Sequence, residues 1–127
     1  MSPRLLLVDD ADDIRAIASL ALERIGGWTV LPVASGEAAL AAAERDGPFD
    51  AVLLDVMMPG MDGPSTLELL RARGLPLEVP IVFLTAKGQC AERRRLISIG
   101  AVGVIVKPFD PLTLSEELKR MLESRFE

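Results

Sequence analysis

The sequence predicts a doubly wound α/β domain, a five-stranded parallel sheet with five helices packed on its two faces. Two regularities carry that prediction. Short, uncharged apolar runs of the kind that fill strands buried on both faces alternate with segments whose apolar residues keep helical spacing. Cap residues, glycines and prolines punctuate every junction, so strand and helix alternate through short turns, as in a parallel sheet.

Arg4-Leu5-Leu6-Leu7-Val8 reads as the first strand, with Asp9 and Asp10 at its carboxyl end. Asp12 or Asp10 can cap a helix whose apolar residues Ile14, Ile17, Ala18, Ala21, Leu22 and Ile25 keep 3.6-residue spacing, and Gly26-Gly27 ends it. Trp28 to Val33 is a second strand, placed at an edge because Pro32 has no N–H to give a ladder. Ser35 caps an alanine-rich helix to about Asp46, which Gly47-Pro48 stops.

Ala51 to Leu54 fills a third strand that ends at Asp55, since Pro59, Gly60 and Gly63 forbid its continuation. Pro64 suits the first turn of a third helix, with Leu67 and Leu70 inward and Gly74 at its end. Val79 to Leu84 is the fourth strand, followed by Thr85-Ala86-Lys87-Gly88. A helix from about Gln89 to Ile99 carries Cys90 and Arg93-Arg94-Arg95. Val102 to Val106 is the fifth strand and meets Lys107-Pro108-Phe109. Asp110 and Pro111 then open a last helix with Leu114, Leu118, Met121 and Leu122 inward.

Composition narrows the function. The 127 residues read as one domain, 1–127, with enough chain to bury a core. No apolar run approaches the roughly 20 residues of a membrane span, and the net charge of −5 argues against direct nucleic-acid binding. The single cysteine, Cys90, cannot form an internal disulfide, which makes a reducing cytoplasm the default. With no histidine, imidazole bases and the usual zinc sites are excluded.

Right-handed crossovers bring the carboxyl ends of all the strands to one edge, where open α/β sheets bind ligands. That edge collects Asp9, Asp10, Asp55, Thr85 and Lys107. Carboxylates converging on one pocket repel each other, and a divalent cation relieves the repulsion. A set of oxygen donors favours Mg²⁺ or Mn²⁺. A hard cation beside a lysine and a hydroxyl makes a phosphoryl site, with Asp55 as nucleophile. A plainer reading has Asp9 and Asp10 capping a helix and Lys107 pairing with one of them. It accounts for each residue singly but not for all of them on one edge.

From Leu5 to about Leu122 the chain resembles the receiver domains of two-component response regulators. The resemblance rests on Leu7-Val8-Asp9-Asp10, Leu54-Asp55-Val56-Met57-Met58-Pro59-Gly60-Met61-Asp62-Gly63, Leu84-Thr85-Ala86 and Lys107-Pro108-Phe109, in family order and spacing. It implies a flavodoxin-like sheet of strand order 2-1-3-4-5 and a phosphoacceptor that is not an enzyme on small substrates. Asp55 would take a phosphoryl group from a sensor histidine kinase or a histidine phosphotransfer protein. Asp10, Asp55 and the Met57 carbonyl would hold the metal directly, and Asp9 through water. Thr85 and Lys107 would hold the phosphoryl oxygens, and the Lys107-Pro108 bond would be cis. The output would be a contact with a downstream protein, through a monomer or a weak phosphorylation-dependent dimer, with no output domain and no membrane.

The chain departs from the family at Val104, where receivers often carry an aromatic residue that moves inward on activation. A valine cannot perform that ring rotation. Met57 cannot orient an attacking water and Lys87 could bring a positive charge, so a slowly hydrolysed acyl phosphate is expected. Arg93-Arg94-Arg95 reads as a solvated basic face or a dock for an acidic partner. The rivals are a binding-only receiver, a phosphate-relay sink, an aspartate-nucleophile phosphatase and a mononucleotide-binding protein. Met57 counts against the phosphatase, because it stands two residues past the nucleophile, where such an enzyme needs an acid. Asp9-Asp10 counts against the nucleotide binder, because it would repel a phosphate in the first loop.

Overall fold

The apolar runs are short and lack charge, so each can be buried on both faces only inside a sheet covered by helices. The computed structural model of the chain describes residues 2–124. Strands β1 (Arg4–Val8), β2 (Thr29–Val33), β3 (Ala51–Asp55), β4 (Ile81–Thr85) and β5 (Gly103–Val106) pair in parallel in the order β2-β1-β3-β4-β5. Between and after them run α1 (Asp12–Arg24), α2 (Gly36–Asp46), α3 (Gly63–Ala72), α4 (Cys90–Ser98) and α5 (Leu114–Ser124). The expected strand order is the observed one, and β2 with Pro32 lies at the edge.

Alternation along each strand divides the core in two. Leu6, Val8, Val52, Leu54, Ile81, Phe83 and Val104 face the layer that contains Ala39, Leu67 and Leu96 of α2, α3 and α4. Leu5, Leu7, Leu53, Val82, Leu84 and Ile105 face Ala18, Leu22, Leu114 and Leu118 of α1 and α5.

Several boundaries and faces differ from expectation. The N-cap of α1 is Ala11, without a side-chain cap, and Asp12 is already helical. Ile17 and Ile25 point outward, 43% and 54% exposed, while Ala18, Ala21 and Leu22 are buried. Small alanines let the helix approach the sheet closely, which turns the neighbouring isoleucines to solvent. The last helix starts at Leu114 rather than at Asp110. Asp110 instead accepts from the Leu112 N–H at 2.9 Å and shapes the turn before it. Ser35 and Asp62 are true caps, accepting from Ala38 N at 3.1 Å and Ser65 N at 2.8 Å.

Candidate functional site

The register sets the site. Val8 lies opposite Leu54, Asp55 opposite Leu84 and Thr85 opposite Val106, so the residues that end these strands share one rim. Main-chain bonds continue past the strand ends: Asp9 N to Val33 O at 3.1 Å and Lys107 N to Thr85 O at 2.8 Å. The side chains are therefore carried at the ends of hydrogen-bonded strands.

Asp9 is fully buried and Asp55 nearly so, whereas Asp10 lies open at the mouth. Their carboxylate oxygens lie within 4.8 Å of one another. Lys107 Nζ sits 2.7 Å from Asp9 Oδ2 and donates to Asp55 Oδ1 at 3.1 Å. One ammonium thus bridges two of the three carboxylates, with Asp10 beside them. Burial and then the charge of Asp9 push Asp55 up to about 6, with Lys107 pulling the other way. Burial alone would lower the Lys107 ammonium, but hydrogen bonds and charge from Asp9 and Asp55 outweigh it and hold it above its ordinary value.

The donor set fits a hard divalent cation. It offers carboxylate oxygens with neither nitrogen nor sulfur, and buried Asp9 Oδ2 has the Lys107 ammonium as its partner. Met57 follows Asp55 in the turn towards α3 and is 66% exposed. Thr85 is buried and its Oγ1 accepts from Lys87 N at 3.0 Å, so the hydroxyl hydrogen remains to be donated. The Lys107-Pro108 peptide is cis. A cavity of about 130 Å³ lined by Leu40, Phe49, Leu70 and Val79 lies at the other edge of the sheet, away from these groups.

Gly63 was legible only as a breaker, and the structure gives it a second task. Its N–H donates to Val56 O at 2.9 Å, and a Cβ there would drive into the Asp55 carbonyl oxygen, with Val56 Cα 3.0 Å away. Gly63→Ala is expected to destabilise the fold by about 1–3 kcal/mol, the usual range for overpacking. Urea denaturation would show this as a lower midpoint with an unchanged slope.

Val104 is buried in the sheet core, and Val106 is 43% exposed beside Gly88, where a Cβ would lie 2.9 Å from Val106 Cγ2. Leu96 is the buried residue of α4. Arg95 pairs with Glu92 at 3.1 Å, while Arg93, Arg94 and Cys90 are exposed.

Comparison with known proteins gives a consistent picture. A family model described as the response regulator receiver domain matches residues 5–119. A protein named "Probable transcriptional regulator ycf27" from Cyanophora paradoxa is 38% identical over 119 residues, covering 94% of this chain and 48% of that protein. The alkaline phosphatase synthesis transcriptional regulatory protein PhoP of Bacillus subtilis is 35% identical, with coverage of 96% and 49%. The chain therefore spans about half the length of these curated relatives. The chemotaxis response regulator CheY4 of Vibrio cholerae has a solved structure that superposes with a TM-score of 0.88. It is 34% identical and covers 96% of this chain and 100% of its own.

Proposed function

The chain belongs to the response regulator receiver domain family, and from that premise we propose that it is a phosphoacceptor switch built on Asp55. The observation that carries the proposal is the buried Asp55 carboxylate held 3.1 Å from Lys107 Nζ, with Asp9 and Asp10 beside it. The donor would be a sensor histidine kinase or a histidine phosphotransfer protein, in the cytoplasm.

In the transfer, an Asp55 Oδ forms a bond to phosphorus as the donor's N–P bond breaks and the imidazole leaves. Asp55 is mostly ionised above pH 6, so the nucleophile is available at neutral pH. Lys107 Nζ already touches Asp55 and has only to follow the charge onto the phosphoryl oxygens. Thr85 would turn its hydroxyl to the same oxygens and release the Lys87 N–H. Asp10, Asp55 and the Met57 carbonyl would hold Mg²⁺ or Mn²⁺ directly, and Asp9 through water. When bound, the ion neutralises charge that develops on the transferring group.

Movement of Thr85 would pull on Lys87 and so on Gly88, which lies close to Val106, biasing the face formed by α4, β5 and α5 towards a second arrangement. Because Val104 is an aliphatic strand residue, this route does not require an aromatic rotamer change. The output is a contact with a downstream protein, and no turnover of small phosphate esters is proposed. Heteronuclear NMR with beryllofluoride and Mg²⁺ tests the switch. The Lys87, Gly88 and Val106 amides should shift, and a spectrum unchanged there would leave a binding-only receiver.

With Met57 apolar and turned to solvent, nothing at that position orients an attacking water. The acyl phosphate is therefore expected to last on the order of many minutes, since a positioned general base is worth about 10²–10⁴-fold. Following the phosphorylated mass after donor removal checks this, and decay within seconds would contradict it.

A further inference from the structure

The turn after β1 carries Asp9 and Asp10, yet the helix it enters has no side-chain cap. Two interactions hold it. Asp9 Oδ1 accepts from Ala11 N at 2.9 Å. Arg15, one turn into α1, folds back so that its Nη1 donates to the main-chain carbonyl of Asp9 at 2.8 Å. Its Nη2 pairs with Asp12 Oδ1, on a carboxylate that is almost wholly exposed. An exposed pair contributes little by itself, but it fixes the angle of the guanidinium fork. The bond to the carbonyl is charge-assisted and comes from a side chain only 20% exposed.

That carbonyl belongs to the peptide joining Asp9 to Asp10. Holding its plane fixes the direction in which the Asp10 side chain leaves the backbone. We propose that Arg15 is a positioning residue for the divalent-cation site, presenting Asp10 to the ion by clamping the Asp9 carbonyl. The inference rests on the metal-dependent reading of the site. Electrostatics alone makes the opposite prediction, because a nearby cation weakens metal binding and its removal would tighten it.

The sign of the change therefore decides. Mn²⁺ affinity would be measured from the free-ion paramagnetic resonance signal for the wild type, Arg15→Met, Arg15→Lys and Asp12→Asn, with thermal unfolding alongside. Loss of an outer-shell partner costs about 10–100-fold in metal affinity, and about 10-fold is expected for Arg15→Met because the clamp acts through a carbonyl. Arg15→Lys should recover part of the loss, and Asp12→Asn should weaken binding less than Arg15→Met does. Arg15→Gln replaces the methionine variant if that one does not fold. Equal or tighter binding by the neutral variants would overturn the inference and leave the metal site standing. A wild type that binds no Mn²⁺ would overturn both.

Discussion

Lys107→Ala is expected to separate metal binding from phosphorylation, tightening the first and cutting the second by about 10²–10³-fold, the cost of removing one preorganised donor from a charge-developing site. In the resting site the Lys107 ammonium lies against the Asp9 and Asp55 oxygens that a cation would also use. A divalent ion must compete with it. Without the lysine, three carboxylates face one another with no ammonium between them, and at pH 8 the ion becomes the means of relieving them. The same change would remove the group proposed to follow charge onto the phosphoryl oxygens. Calorimetric Mg²⁺ titration and the rate of mass gain from acetyl phosphate would be measured on one preparation. Unchanged uptake would remove Lys107 from the chemistry.

Asp55→Asn is expected to stabilise the metal-free protein at pH 7–8. In the folded state Asp55 ionises near 6 against 3.8 when unfolded, because burial and then Asp9 oppose its charge. Below 3.8 the group is protonated in both states and contributes nothing. Between 3.8 and about 6 the native state binds more protons, so stability falls as pH rises, and above 6 the whole cost persists. That cost is about 2–3 kcal/mol, or about 5–10 °C in Tm for a domain of this size. The variant should melt higher than the wild type at pH 7.5, and the gap should close towards pH 4. Mg²⁺ at 100 times its Kd would stabilise the wild type by about 2.7 kcal/mol and narrow the gap. A variant that melts lower at pH 7.5 without metal would mean that ionised Asp55 stabilises the fold.

The residues at the strand ends were legible because parallel winding leaves no choice about where those ends go. Asp9, Asp10, Asp55, Thr85 and Lys107 each follow an apolar run, and right-handed crossovers send every run's end to one rim. Arg15 was not legible. It lies on α1 among residues of helical spacing, and nothing in the sequence says that its guanidinium folds back to the Asp9 carbonyl. Gly63 showed its turn chemistry but not the closeness of the Asp55 carbonyl, which depends on how α3 docks. Ile17 and Ile25 share the helical spacing of the apolar set yet are exposed, because periodicity finds a stripe but not its centre. The small side chains of Ala18 and Ala21 decide that by how near the helix can come.

On the proposed reading, Asp55 accepts a phosphoryl group with the help of a metal. Intact mass after incubation with acetyl phosphate and Mg²⁺, beside Asp55→Asn and a sample with EDTA, tests it most directly. The predicted result is a gain of about 80 Da, one phosphoryl group on a carboxylate, in the wild type with metal and in neither control. No gain in the wild type, or the same gain in Asp55→Asn, would mean that Asp55 is not the phosphoacceptor.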